Sequence, residues 1–141
     1  MAEPQKRMKA LYIGAPACFK LELACQHLTR AFGECCYIVG SVTERSDWRD
    51  VDIVMILDDD DFQRQFPDTN AQGQAWEFDP KWLLMSVAIS DWLSSQTGLP
   101  VDFKFQPRTR ANATHKGKRF AIGLSFEKCD PAAKSGGNGN G

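Results

Sequence analysis

The chain has 141 residues, a formal charge of −1 and 43% hydrophobic residues. That length fits one domain whose core needs no disulfide or metal staple. A near-neutral chain gives no bulk electrostatic reason for a nucleic-acid or membrane-surface partner, and no apolar run reaches membrane-spanning length.

Met1 to Met8 is polar, without the apolar core of a secretion signal, and reads with residue 9 as a flexible lead. Leu11 to Ile13 is a short apolar piece, either an edge strand or an extended packing arm, ended by Gly14 and Pro16. From Pro16 or Ala17 to Phe32 the spacing predicts a helix. Leu21, Cys25, Leu28 and Phe32 form its apolar stripe, Pro16 suits the first turn and Gly33 the C-cap. His27 lies in this helix without a second ligand at metal spacing, so it reads as a surface or boundary residue.

Cys35 to Val39 reads as a buried strand ending at Gly40-Ser41, followed by a polar loop from Val42 to Arg49. A helical turn beginning near Ser41 would present free backbone N–H groups. Asp50 to Leu57 is the second strand. Asp50, Asp52, Val54 and Ile56 share one face, and Val51, Ile53, Met55 and Leu57 the other. The run Asp58 to Asp61 reads as a solvated strand end. Residues 62–78 read as a long loop with turns at Phe66-Pro67-Asp68 and from Asn70 to Gly73, docked by Trp76 and Phe78.

Asp79 as N-cap, Pro80 in the first turn and Gly98 past the end frame a second helix. Its buried stripe is Trp82, Met85, Ile89 and either Trp92 or Leu93. Leu99 to Phe105 is a third strand, with Val101, Phe103 and Phe105 on one face and Asp102, Lys104 and Gln106 on the other. Residues 107–120 are basic and turn-rich, and Phe120 to Leu124 reads as a last short strand or packing segment. Residues 1–130 are therefore expected to form a single domain, and 131–141 a flexible Gly/Asn-rich tail.

The cysteines, Cys18, Cys25, Cys35, Cys36 and Cys129, form no C-x-x-C pair. Four lie in apolar surroundings, where a free thiol acts as a small hydrophobe. A reducing, cytoplasmic compartment is the expectation.

Charge is unevenly placed. Glu44, Asp47, Asp50, Asp52, Asp58 to Asp61 and Asp68 face only Arg45, Arg49 and Arg64 in their segment, whereas Lys104, Arg108, Arg110, Lys116, Lys118 and Arg119 cluster later around the lone Asp102. The two regions either meet around a ligand carrying phosphates and metal or form complementary charge on a solvated surface. Asp50 and Asp52, at i and i+2 on a strand, put their carboxylates on one face, about 7 Å apart along the backbone. Beside an apolar strand such a pair is costly unless it is solvated or holds a cation. With Asp102 on a neighbouring strand they make a set of oxygen ligands suited to Mg²⁺ and a phosphate-bearing substrate.

The ordered series of an apolar strand, Gly40-Ser41, a loop of eight residues, Asp50-x-Asp52 and a later strand bearing Asp102 resembles the nucleotidyltransferase superfamily. That superfamily includes DNA polymerase beta, poly(A) polymerases, tRNA nucleotidyltransferases and minimal antitoxin-type nucleotidyltransferases. The resemblance covers Cys35 to Phe105. It implies an α/β (α+β) fold, a small mixed sheet with helices packed on one side.

The same resemblance implies that Gly40 and Ser41 contact nucleotide phosphates, and that Asp50, Asp52 and Asp102 hold Mg²⁺ (or Mn²⁺). Asp102 would also help to activate an acceptor hydroxyl. Thr43, Arg45 and Lys104 are further candidates for phosphate contact. The activity implied is transfer of a nucleoside monophosphate from an NTP to a hydroxyl on a protein, RNA or small molecule. The 108–119 segment is a candidate contact for nucleic acid, although it lacks the interleaved aromatics of a stacking platform. The alternatives are a catalytically inactive member that binds nucleotide, RNA or protein, and a structural α/β domain whose acids salt-bridge the basic segment.

Overall fold

A computed structural model of the chain describes residues 11–69, 79–115 and 119–123. In chain order the elements are helix α1 (Ala17–Phe32), strand β1 (Cys36–Val39), a 3₁₀ turn (Ser41–Thr43), β2 (Val51–Leu57), α2 (Asp59–Gln65), α3 (Pro80–Thr97), β3 (Val101–Pro107), α4 (Arg108–Thr114) and β4 (Phe120–Ile122). The four strands form one mixed sheet in the order β3-β2-β1-β4. β1 is antiparallel to both its neighbours, and β2 and β3 are parallel. The chain is a small α+β domain.

The two long helices start and stop where their capping residues lie. Asp79 accepts the Trp82 N–H at 2.9 Å at the head of α3 and, through its other oxygen, the Asp68 N–H at 2.9 Å. One buried carboxylate thus caps the helix and holds the end of the preceding loop. Gly33 and Gly98, both at φ +77°, end α1 and α3 with a bond back to the carbonyl four residues earlier. Leu93 is buried whereas Trp92 stays 37% exposed, which settles the last position of the α3 stripe. Leu11 to Ile13 is a packing arm: the Tyr12 N–H donates to Val42 O at 3.0 Å, and Trp48 Nε1 donates to Tyr12 O at 2.7 Å.

The sheet register sorts the strand residues into two faces. On the first, Cys36, Met55 and Phe105 lie abreast, as do Ile38, Ile53 and Phe103. These join Leu21, Cys25 and Leu28 of α1, Trp82 and Leu93 of α3, and Phe62 and Phe66 in the main core. The rings of Phe103 and Phe105 meet edge-on at 5.0 Å, and Phe66 reaches Phe105 at 5.4 Å. Each buried phenylalanine of this kind contributes roughly 2–3 kcal/mol of apolar burial.

Several expectations are corrected, among them the loop read from residue 62, since residues 62–65 belong to α2. Helices do not cover one side only: Ala111 of α4 closes a second cluster with Val39, Val54 and Ile56 on the opposite face. Those apolar residues need cover from water as much as the first face does. Asp58 to Asp61 is not a bare strand end, because Asp59 to Asp61 form the first turn of α2, where carboxylates suit the helix dipole. That helix is held down by Phe62 and Phe66, at 0% and 1% exposure. The basic segment opens with a helix rather than turns.

Cys18, Cys25 and Cys36 are free thiols, but Cys35 is disulfide-bonded, against the reading of a reducing setting in which the apolar cysteines stay free. No helix among the described residues is long and apolar enough to cross a membrane. The turn at 70–73, the docking of Trp76 and Phe78, Lys116, Lys118 and the 131–141 tail lie outside the described residues.

Candidate functional site

Among the described residues, the second face of the sheet is covered at one end only. Its residues fall into rows: Ile56 beside Gln106, then Tyr37, Val54 and Lys104, then Val39, Asp52 and Asp102. Helix α4 seats Ala111 over Val54 and Ile56. The last row, at the N-terminal ends of β2 and β3, is left for Asp52 and Asp102. Asp52 is the one residue of β2 that is not buried.

Gly40 shapes this end. It leaves β1 at φ +85°, ψ −161°, a conformation open to glycine and strained for other residues. A Cβ there would stand 2.4 Å from Asp52 Oδ2, so the backbone passes directly over the carboxylate. The 3₁₀ turn that follows is pinned from below by Val42, which is fully buried. The Thr43 N–H and hydroxyl both donate to Gly40 O, at 3.0 and 2.7 Å. Thr43 therefore closes the turn with its side chain, buried at 1% exposure, rather than presenting it to a ligand.

The electrostatics are those of crowded carboxylates. Burial pushes the Asp52 carboxyl above its ordinary range, Asp102 and Asp50 push it further, and Lys104 pulls it back. Lys104 Nζ lies 3.1 Å from Asp102 Oδ2, with both side chains roughly half exposed. Gly40, Asp52, Asp102 and Lys104 are thus brought together, with Asp50 exposed just before β2. Arg45 is not part of the group: its Nε lies 3.0 Å from Asp47 Oδ1 on the surface. Among the described residues, no group of three or more His, Cys, Asp or Glu side chains is arranged to hold a metal ion.

The acidic and basic regions do meet, away from this row. Arg108 Nε donates to Asp58 Oδ1 at 2.9 Å, and the Thr109 N–H donates to Asp59 at 3.0 Å. These contacts clamp the start of α4 to the start of α2. Arg119 lies 5.5 Å from the centre of the Tyr37 ring and donates to Asn112 at 3.1 Å. His27 is exposed, in line with its reading as a surface or boundary residue, and its Nδ1 lies 3.0 Å from Leu23 O.

Two polar features go beyond the expectations drawn from the sequence. Gln106 is buried on the second face, where its Oε1 lies 3.1 Å from His115 Nε2. Burial, then the charges of Arg119 and Lys104, hold the His115 pKa below the ordinary histidine value. The other feature is a stripe on α3. Ser90 Oγ accepts the Phe103 N–H at 2.8 Å, Ser94 Oγ accepts the Val101 N–H at 3.0 Å, and Trp82 Nε1 donates to Phe105 O at 3.0 Å. Four helical residues rise about 6 Å and two strand residues about 6.6 Å, so the Ser94–Val101 and Ser90–Phe103 contacts run nearly in step, and Trp82, eight residues before Ser90, reaches Phe105 with its longer side chain. Helix α3 thereby satisfies the outer edge of β3, which would otherwise be open to strand pairing. The signal was present in the four-residue spacing of Trp82, Ser86, Ser90 and Ser94.

Comparison of the chain with protein-family models, curated proteins and solved structures finds no match.

Proposed function

We propose that the open row of the sheet is a nucleotidyl-transfer site, moving a nucleoside monophosphate from an NTP to a hydroxyl acceptor on a protein, RNA or small molecule. The observation that carries the reading is the register that sets Asp52 against Asp102 on parallel strands, beneath a backbone that approaches Asp52 as only glycine allows. The chemistry of the donor set fits Mg²⁺, which binds through one or two carboxylates and completes its shell with phosphate oxygens and water, without an all-protein cage.

Asp50, Asp52 and Asp102 would hold the metal; when bound it neutralises the triphosphate and eases loss of the acceptor proton. Mn²⁺ suits the same oxygen donors. Gly40 and the backbone at Ser41 position the phosphates. Asp102 receives the acceptor hydroxyl's proton, the oxygen attacks the α-phosphorus, and pyrophosphate leaves. Lys104, on the Asp102 face, is placed to offset phosphate charge.

A second reading is favoured by one contact. The Lys104 ammonium already sits on Asp102, as an internal cation would in an inactive member that binds nucleotide, RNA or protein. The two readings separate on label transfer from the four NTPs, with Mg²⁺ or Mn²⁺, to cell extract. Transfer lost in the variant Asp50→Ala plus Asp52→Ala supports the enzyme. Retained NTP binding without transfer supports the binding module.

A further inference from the structure

Beside the candidate site, and sharing Asp102 and Lys104 with it, a groove of about 360 Å³ runs between α3 and the outer edge of β3. Its walls are apolar, with Leu83 and Val87 about half exposed along one side. Ser86 lines it, is only 4% exposed, and its Oγ has no hydrogen-bond partner among the described residues. A buried hydroxyl without a partner costs on the order of 1–3 kcal/mol, so a ligand atom reaching it gains a bond that the empty groove lacks. The stripe that places it is otherwise used, since Ser90, Ser94 and Trp82 are all bonded to β3.

The charges at the groove point to the sign of the ligand. Among the described residues, Asp91, Asp102 and Lys104 are the charged groups that line it; Lys104 pairs with Asp102, which leaves a net negative rim. Asp91 lies five residues along α3 from Ser86, an axial rise of about 7.5 Å. We propose that this groove binds a small amphipathic amine, its ammonium beside Asp91 and Asp102, its apolar body on Leu83 and Val87, and a terminal hydrogen-bonding group on Ser86 Oγ. The groove shares Asp102 and Lys104 with the candidate site, but amine binding there needs neither nucleotide nor metal and does not rest on the nucleotidyl-transfer reading.

The test is NMR titration of the full chain with tyramine, which carries an ammonium and a phenol at opposite ends of an apolar ring, in the absence of NTP and divalent metal. Amide shifts are expected to concentrate at residues 82–91 and 102–104. Phenethylamine, lacking the hydroxyl, should bind about fivefold more weakly, and phloretate, with a carboxylate in place of the ammonium, should leave these amides unmoved. Asp91→Asn should weaken both amines about threefold, and Ser86→Ala should remove the difference between them. No shifts, shifts centred elsewhere, phloretate binding as well as tyramine, or equal binding of the two amines by the wild-type chain would each overturn the proposal. None of these outcomes bears on label transfer, which uses a different ligand.

Discussion

Asp52→Asn should make the fold more stable near neutral pH. Asp52 and Asp102 are direct partners on parallel strands, and neighbouring strands lie about 5 Å apart. At that distance two unit charges repel by roughly 1 kcal/mol at water-like dielectric and by about 3 kcal/mol at an effective dielectric of 20. Asp52 is half-buried and Lys104 offsets part of the repulsion, so the screened end of the range applies and the gain should be about 1 kcal/mol. For a domain of this size that is a rise of about 3–5 °C in Tm.

The sign with pH follows from the raised folded-state pKa. The contribution of Asp52 to stability is fully favourable below the ordinary value of 3.8 and is lost as pH rises through the raised value. Asparagine carries the uncharged condition to neutral pH, so wild type and variant should differ near pH 7 and converge near pH 3, with both measured by thermal unfolding followed by circular dichroism. A destabilised Asp52→Asn near pH 7, or a gain undiminished near pH 3, would refute this account of the row.

Gly40→Ala should destabilise by at least about 2 kcal/mol, because it combines a strained positive φ with a Cβ pressed on Asp52. In an Asp52→Ala background the steric part should disappear, a non-additivity measured by urea unfolding. Ser90→Ala removes the acceptor of the Phe103 N–H; it should cost about 1–2 kcal/mol and speed hydrogen exchange at the Phe103 amide. His115 has a lowered folded-state pKa, so its contribution to stability is complete above the ordinary 6.5 and is lost as pH falls through the lowered value. His115→Gln should flatten that part of the urea-midpoint profile against pH.

The elements with local signals were legible in the sequence. Asp79, Pro80 and Gly98 bracket α3, and alternation from Val101 to Phe105 marks β3. Helices α2 and α4 lacked such signals. Each has seven residues and a single buried side chain, Phe62 or Ala111, and short helices take their stability from tertiary contact rather than from their own periodicity. The candidate acids could be picked out as carboxylates on apolar strands, but their arrangement depends on pairing between segments fifty residues apart. The direction of the Thr43 hydroxyl and the hold of Lys104 on Asp102 are set by that tertiary geometry too, and no spacing rule encodes them.

The central claim is that Asp50, Asp52 and Asp102 serve nucleotidyl transfer. Its most direct measurement is incorporation of label from each α-labelled NTP into cell extract with Mg²⁺ or Mn²⁺, comparing the wild-type chain with Asp50→Ala plus Asp52→Ala and with Asp102→Ala. The account predicts incorporation by the wild type with at least one NTP, and its loss in both variants while each retains a cooperative unfolding transition. Absence of incorporation by the wild type under every combination, or incorporation unchanged in the folded variants, would contradict it.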